Sequence, residues 1–206
     1  MQALEDANID MAFITETWLE EHSVNIVSHI KEYNFNIHRA DRGSRGGGIA
    51  ILYKNIKCTP VEFPHCVRAS VNSFEYHAIQ LRSTQETFYI ICLYRKQEIQ
   101  VSVFIDEVDI LLDYVTNKLA GTIIVLGDFN IHFDVLGRTS SNVTAVFNNY
   151  QLQPVIQEPT HIGGHILDQI FYNTDSMDLS SKLSIDKDSK VSDHFPIYFT
   201  IPYSRN

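Results

Sequence analysis

Short apolar runs separated by polar residues and glycine dominate the chain, and this pattern predicts a protein built mainly from β-strands. Each run is rich in Ile, Val, Phe and Tyr, the side chains that favour a pleated, partly buried surface. The predicted strands cover residues 10–15, 48–53, 76–81, 87–94, 122–126, 167–171 and 196–201.

Helical periodicity is found in the segments 24–33, 101–119 and 144–150. It is clearest in the second segment, where apolar residues recur at helical spacing between Val101 and Val115, and Lys118 lies in the predicted last turn. Many strands with few helices predict sheets that pack face to face, with the helices on the outside.

The composition is that of an ordinary globular protein. The 206 residues are 44% hydrophobic and 20% charged, which excludes disordered and collagen-like classes. No repeat or long linker divides the chain, so we expect a single domain over residues 1–206. Cys58, Cys66 and Cys92 lack the spacing of a disulfide framework or a cysteine zinc site, so we expect reduced thiols.

No apolar run approaches the ~20 residues that cross a bilayer, so we expect no membrane contact. The first residues also lack the basic segment of a secretory signal, so we expect an intracellular protein. The formal net charge is −9, from 16 Lys and Arg against 25 Asp and Glu. Non-specific affinity for nucleic acid comes mainly from Lys and Arg, so a phosphate substrate here needs local cations or a metal.

Acids, an amide and a histidine lie at the ends of several predicted strands. Glu16 follows the first strand, Asp128 and Asn130 follow strand 122–126, and Asp193 and His194 precede strand 196–201. If these strands lie side by side, their ends bring the polar side chains to one cleft.

Three segments carry residue types suited to phosphodiester chemistry. In IIVLGDFN, Asp128 can manage a proton or a metal-bound water and Asn130 can hold a phosphate oxygen, although both residues also suit an ordinary turn. In VSDHFP, His194 is either a catalytic group or a structural histidine. Asp168 lies within an apolar strand, where an unpaired carboxylate costs several kcal/mol, so it needs a partner or a cation.

In chain order these segments form the series ETWL, GGGIAILY, LYR, LGDFN, LDQIF and SDHFP. The series resembles the endonuclease/exonuclease/phosphatase superfamily, which has the deoxyribonuclease I-like fold. Within it, the chain is most similar to the apurinic-type endonuclease domains of LINE-type, non-LTR retrotransposons, through TETWL, RGGGIAILYK, LGDFN, PTHIGGHILD and SDH. The resemblance covers nearly the whole chain.

The resemblance implies an α/β (α+β) four-layered sandwich, in which two packed, mostly antiparallel sheets are flanked by helices and the active site lies at one edge. It also implies that Glu16 binds Mg²⁺, with Mn²⁺ as an alternative, and that Asp193 is a second acid beside the metal. His194 then contacts the scissile phosphate, Asp168 orients the His194 ring, and Asp128 transfers a proton.

The remaining matches are to residues that contact or support the phosphate. Asn130 and Tyr94 match phosphate contacts, and Thr160 and Ser192 match supporting hydroxyl groups. Arg45 and Arg95 lie in basic segments that either contact DNA phosphates or simply form a solvated hairpin.

The family's first strand, which carries an asparagine beside the metal, has no counterpart before the TETWL segment. We therefore expect a domain that is truncated at its N-terminus and lacks that strand.

The main hypothesis is a Mg²⁺-dependent DNA endonuclease of retrotransposon origin that nicks a strand and leaves a 3′-hydroxyl. DNA is then the partner of a monomeric protein, which acts in the nucleus if the DNA is chromosomal. Two alternatives remain open. One is a catalytically inactive remnant or nucleic-acid-binding module, and the other is a small-molecule phosphodiesterase or phosphatase of the same superfamily.

Overall fold

The computed structural model describes residues 1–43, 46–173, 178–179 and 182–204. The helices are α1 (Gln2–Asp6), α2 (Val24–Glu32), α3 (His65–Ala69), α4 (Val101–Lys118) and α5 (Arg138–Asn149). The strands are β1 (Met11–Thr15), β2 (Asn36–Ala40), β3 (Ile49–Tyr53), β4 (Cys58–Pro60), β5 (Phe74–Arg82), β6 (Thr87–Arg95), β7 (Thr122–Asp128), β8 (Leu152–Pro154), β9 (Asp168–Asn173), β10 (Ser184–Ile185) and β11 (Ile197–Tyr198). Among the described helices, none is long and apolar enough to cross a membrane.

The strands form one large sheet, one small sheet and a separate pair. The six-stranded sheet has the order β4-β5-β6-β7-β9-β8, and only its β6–β7 pairing is parallel. The three-stranded sheet has the antiparallel order β1-β3-β2, and β10 pairs with β11. The expectation of mostly antiparallel sheets is confirmed.

Three apolar clusters show how the layers stack. One lies between the six-stranded sheet and helices α3, α4 and α5, and it includes Phe104 and Phe147. A second lies between the sheets, where Ile49 and Ile51 of β3 share a cluster with residues of β6 and β7. A third places Ile30 of α2 against the outer face of the three-stranded sheet. The order helices, sheet, sheet, helices is the predicted four-layered sandwich.

Strand β6 is buried on both faces, which explains its continuous apolar sequence. Ile90 and Cys92 belong to the cluster between the sheets, whereas Ile91 and Leu93 face the helices. This alternation follows from the two-residue period of a strand. All three cysteines are free, as expected.

The sequence pattern located the strongly apolar elements and missed several that are short or polar. Strands β2, β4, β8 and β10 and helices α1 and α3 were not predicted, and the predicted strand 196–201 is reduced to Ile197–Tyr198. Helix α5 begins at Arg138 rather than at residue 144, because its first turns are polar and offer little apolar periodicity.

Two imidazoles face each other between the sheets. His38 of β2 stacks on Tyr53 with a centroid separation of 4.9 Å, and its ring lies 6.3 Å from that of His77 on β5. Neither Nε2 atom has a hydrogen-bond partner in the described part of the chain. Burial lowers the pKa of both imidazoles below the ordinary value, so this contact holds neutral rings.

Acid should therefore weaken the fold through this pair. Both rings bind a proton more readily in the unfolded chain, so their contribution to stability is complete above the ordinary pKa of 6.5 and is lost as the pH falls. As the pH falls below 6.5, the unfolding free energy of His77→Phe should decrease less than that of the parent. Urea unfolding at a series of pH values measures both decreases. Equal losses in the two proteins would contradict this role.

Gly127 allows the parallel strands β6 and β7 to lie close together. Its φ is +139°, and a Cβ atom added there would overlap the carbonyl oxygen of Leu93. An ordinary side chain at this position therefore forces the central strands apart.

We predict that Gly127→Ala lowers the unfolding free energy by about 3 kcal/mol, because it overpacks the middle of the sheet. The matched control is Gly43→Ala, where φ is +71° but no atom lies within 4 Å of the added Cβ. That change should cost only the backbone strain of about 1 kcal/mol. Urea unfolding followed by circular dichroism measures both, and equal losses would show that the contact with Leu93 does not matter.

Candidate active site

A row of polar side chains crosses three strands at one end of the large sheet. In the register of the sheet, Tyr94 of β6 pairs with Asp128 of β7, and Asp128 pairs with Asp168 of β9. Side chains at such partner positions lie on one face as neighbours. The predicted convergence of strand ends is thus present in the structure, and we call Tyr94, Asp128 and Asp168 the polar row.

His194 contacts Asp168, the last residue of the polar row. Its Nδ1 atom lies 2.8 Å from Oδ2 of Asp168, which forms the expected His–Asp pair. Both partners are partly buried, with side-chain exposures of 29% for His194 and 16% for Asp168. The carboxylate therefore fixes the orientation of an imidazole that still reaches solvent.

Thr160 supports the His194–Asp168 pair from the protein interior, through hydrogen bonds to the backbone of both segments. It is fully buried, and its Oγ1 accepts hydrogen bonds from the backbone N–H groups of Leu167 and Asp168 at 3.0 and 3.1 Å. Its carbonyl accepts the N–H of Phe195 at 2.7 Å. Thr160 thus joins the strand of Asp168 to the segment of His194, which is a supporting position.

The charges of the row keep His194 protonated. Burial lowers its pKa, but the hydrogen bond and charge of Asp168, followed by the charges of Asp128 and Asp193, raise the pKa of His194 to about 9. At neutral pH the ring is an imidazolium, which places a positive charge beside the carboxylates.

The pKa of Asp128 is raised as well, which for a carboxyl group favours the neutral form. Its residue exposure is only 4%, and burial, together with the charge of Asp168, raises the pKa of Asp128 to about 7. His194 and the backbone N–H of Asn130, which donates to Oδ1 at 2.8 Å, oppose this shift. Asp128 can therefore gain or lose a proton near neutral pH, as a proton-transfer group requires.

Asn130 positions Asp128. Its Nδ2 donates to Oδ2 of Asp128 at 3.2 Å and to the carbonyl of Arg95 at 2.9 Å. The backbone adopts a left-handed φ of 51°, which turns the chain back over the strand end. Both amide hydrogens are thus used inside the protein, and only the amide oxygen is left for a phosphate-bound water.

Arg95 lies inside the protein, under the loop that follows β7. The residue is 3% exposed, and its Nε donates to the carbonyl of Phe129 at 2.6 Å, while Nη2 donates to that of Asn130 at 2.9 Å. Its Nη1 donates to the carbonyls of Lys96 and Ile99. The guanidinium braces the loop after β7 from inside, whereas the sequence left open a phosphate contact or a solvated hairpin for this segment.

Glu16 reaches the row from the small sheet. It follows β1, and its carboxylate lies beside Tyr94, where burial and then Glu16 raise the pKa of the phenol. The next residues are held by the glycine segment, because Thr17 and Trp18 donate their N–H groups to the carbonyls of Gly48 and Gly47 at 3.2 and 2.9 Å. Glu16 and Trp18 both have left-handed backbones, with φ of 51° and 53°.

The segment of Ser192 and Asp193 lies in solvent. Ser192 Oγ donates to Asp193 Oδ1 at 3.1 Å and accepts the N–H of His194 at 3.2 Å. Asp193 Oδ2 lies 3.4 Å from Nε2 of His161, whose ring centroid is 5.1 Å from that of His194. His161 was not predicted as a site residue, although it lies in the PTHIGGHILD segment that carries the family resemblance.

Arg45 lies outside the described residues, so its expected phosphate contact stays a prediction. Its neighbour Arg42 is described, and its guanidinium lies 5.7 Å from the centre of the Tyr94 ring. Arg42 is paired with Glu75, which also accepts the N–H of Gly48 at 2.6 Å. Arg42 therefore lies at the Tyr94 end of the row.

Two groups of potential metal ligands meet at His194. One consists of His161, Asp193 and His194, and the other of Asp128, Asp168 and His194. Within the described residues, no such group contains both Glu16 and Asp193, the two ligands expected from the resemblance. Glu16 does act on the charge of Asp128, together with Asp168. This concentration of carboxylates suits a hard divalent cation such as Mg²⁺.

For the metal-free protein, we predict that His194 loses its proton near pH 9. In Asp168→Asn the neutral amide cannot balance the imidazolium, so the pKa of His194 should fall towards the ordinary 6.5. Titration of the imidazole resonances by NMR measures both values. Asp134→Asn is the control, because it removes a different His–Asp pair, and an unchanged titration of His194 in Asp168→Asn would contradict the pairing.

Solved structures share this architecture at low sequence identity. The endonuclease domain of TRAS1, a telomere-specific non-LTR retrotransposon, aligns over 98% of this chain and 89% of that chain, with a TM-score of 0.74 and 14% identity. The 3′ phosphatase NExo from Neisseria, bound to a product DNA hairpin, aligns over 98% and 93%, with a TM-score of 0.75 and 14% identity. An AP endonuclease from Archaeoglobus fulgidus aligns over 98% of this chain and 92% of that chain, with a TM-score of 0.72 and 14% identity. These likenesses show the fold.

A comparison with curated protein sequences found no match. The family model described as endonuclease-reverse transcriptase matches residues 88–198, which is more than half of the chain. The matched segment contains the whole polar row and His194. The chain therefore belongs to the endonuclease-reverse transcriptase family, within the endonuclease/exonuclease/phosphatase superfamily.

Proposed function

We propose that this protein is a Mg²⁺-dependent DNA endonuclease of retrotransposon origin, which hydrolyses one phosphodiester bond and leaves a 3′-hydroxyl. The observation that carries the proposal is the pairing of a charged His194 with Asp168, beside an Asp128 whose pKa lies near 7. Hydrolysis of a phosphodiester needs a fixed positive charge and a group that exchanges a proton; His194 supplies the charge, and Asp128 of the polar row exchanges the proton.

His194 supplies the positive charge at the phosphate. Because Asp168 fixes its Nδ1 side, the Nε2–H of the imidazolium is free to donate to a non-bridging phosphate oxygen. The negative charge on that oxygen grows as water attacks, so the contact strengthens in the transition state.

Asp128 moves the proton. Asn130 holds the Asp128 carboxyl through both of its oxygens, so the group keeps one orientation while it takes a proton from the water or gives one to the leaving oxygen. Tyr94, on the other side of Asp128, presents its hydroxyl to the same phosphate.

The metal is assigned to the acidic side of the site. Glu16 and Asp193 offer exposed carboxylate oxygens, the ligand type that Mg²⁺ prefers, and Glu16 adds to the negative charge around Asp128. When bound, the cation supplies charge stabilisation at the phosphate and lowers the pKa of a coordinated water.

Four observations support DNA as the substrate and a retrotransposon origin. The motif series resembles LINE-type endonucleases, the matching family is described as endonuclease-reverse transcriptase, and one solved structure with this fold comes from a non-LTR retrotransposon. A DNA product is bound in another of the similar structures.

A plasmid-nicking assay tests the proposal. With Mg²⁺ the parent should convert supercoiled DNA to the open circle, and a DNA polymerase should extend the nick because it ends in a 3′-hydroxyl. We predict that His194→Ala and Asp168→Asn each reduce the rate by about 10²-fold or more, through loss of the charge at the phosphate. The control is His29→Ala, which removes an exposed histidine paired with Glu32 on α2 and should nick at the parental rate.

Circular dichroism must first show that each protein is folded. Folded parent that leaves DNA intact with Mg²⁺ and with Mn²⁺ would overturn the proposal, as would unchanged nicking by His194→Ala. Hydrolysis of small phosphodiesters without nicking would instead favour the small-molecule phosphodiesterase.

A further inference from the structure

A third group of metal-ligating side chains lies outside the polar row. It consists of His132, Asp134 and His165, and one ligand atom from each lies within 4.8 Å of the other two. His132 and Asp134 come from the loop after β7, and His165 comes from the segment before β9. We call these residues the His–Asp–His group.

The three side chains already face one another. Nδ1 of His165 lies 3.0 Å from Oδ2 of Asp134, and the rings of His132 and His165 are 4.0 Å apart between centroids. The other carboxylate oxygen of Asp134 accepts the N–H of Ile166 at 2.8 Å, which fixes its orientation. In the described part of the chain, His132 makes no hydrogen bond through its ring, so both of its nitrogens are available.

The backbone holds the two segments in register. The N–H of Phe133 donates to the carbonyl of Ile166, and that of Phe129 donates to the carbonyl of Leu167, both at 3.0 Å. The first bond lies between His132 and Asp134 on one segment and next to His165 on the other, so a metal ion would not have to bring two loose loops together. A site organised in this way loses little conformational entropy when it binds an ion.

Two imidazoles and one carboxylate form a ligand set typical of Zn²⁺, which takes three protein ligands and a water at about 2.0–2.2 Å per protein ligand. Imidazole nitrogen favours such transition ions over Mg²⁺, which selects oxygen ligands. We infer that the His–Asp–His group binds one divalent transition-metal ion of the Zn²⁺ class. A surface His–Asp pair alone does not explain the approach of a second imidazole, whose ring lies 4.0 Å from that of His165 between centroids and is tilted by 55°.

The bound ion acts as a cross-link beside the active site. It joins the loop that carries Asn130 to the segment that leads from Thr160 to Asp168, the two parts that orient Asp128 and His194. The ion would thus stabilise the two segments that hold the active site, and its ligands are separate from the carboxylates assigned to Mg²⁺.

The test measures metal binding in a His194→Ala background. Both of the other ligand groups contain His194, so this change disables them and leaves the His–Asp–His group intact. We expect the EDTA-treated, folded protein to bind one equivalent of Zn²⁺ in the presence of excess Mg²⁺. With Co²⁺ it should show visible d–d absorption, and Zn²⁺ should raise its melting temperature.

Adding His132→Ala or His165→Ala to that background should weaken Zn²⁺ binding by at least about tenfold and abolish the thermal shift. His132 is exposed, so its removal should leave the apo fold intact, and His29→Ala is the matched histidine control. Absence of Zn²⁺ and Co²⁺ binding by folded His194→Ala protein would overturn the inference, as would binding that His132→Ala leaves unchanged. Because binding is measured without DNA, failure of the nicking assay has no bearing on this result.

Discussion

The register of three central strands is the constraint on which the site depends. Parallel pairing of β6 with β7, and antiparallel pairing of β7 with β9, set Tyr94, Asp128 and Asp168 side by side. Gly127 permits the approach of β7 to β6 at the residue just before Asp128. A slip of one residue in either pairing would turn the acids to the opposite face of the sheet, towards the helices.

This register also sets the electrostatics of the site. Ionisation of two carboxyl groups on adjacent, partly buried strands costs free energy. One of them therefore holds a proton more tightly, and the other is paired with a positively charged side chain. Asp128 and the Asp168–His194 pair divide these roles according to burial: Asp128 is the more buried acid, and Asp168 has the imidazolium. The different behaviour of two identical side chains thus follows from their positions in one sheet.

The sequence predicted the parts of this protein that depend on local pattern and failed where contacts are made at a distance. The apolar alternation of β3, β5 and β6 follows from burial and was recognisable, whereas β2, with the sequence NIHRA, has too few apolar positions to mark it as a strand. The position of Arg95 after Tyr94 favoured a contact with substrate. Nothing in the sequence could show that its guanidinium points inwards to four carbonyl groups.

In the candidate site, too, the features that depend on contacts between distant segments were not predicted from the sequence. The pairing of His194 with Asp168 was expected from the family resemblance, and the structure has it. The use of both Asn130 amide hydrogens inside the protein was not expected, since it depends on the path of the loop after β7. The His–Asp–His group was not predicted either, because its ligands lie on two segments that only the folded sheet brings together.

Three residues around the polar row, Glu16, Trp18 and Asn130, adopt the left-handed backbone conformation, which is unfavourable for residues other than glycine. Each conformation costs of order 1–3 kcal/mol, which the rest of the fold must offset. Replacement of Glu16 by glycine would relieve that strain and would also remove a carboxylate from the site. Selection for thermal stability alone would therefore act against the active site, and a stabilised version of this protein has to gain its stability in the layers far from the strand ends.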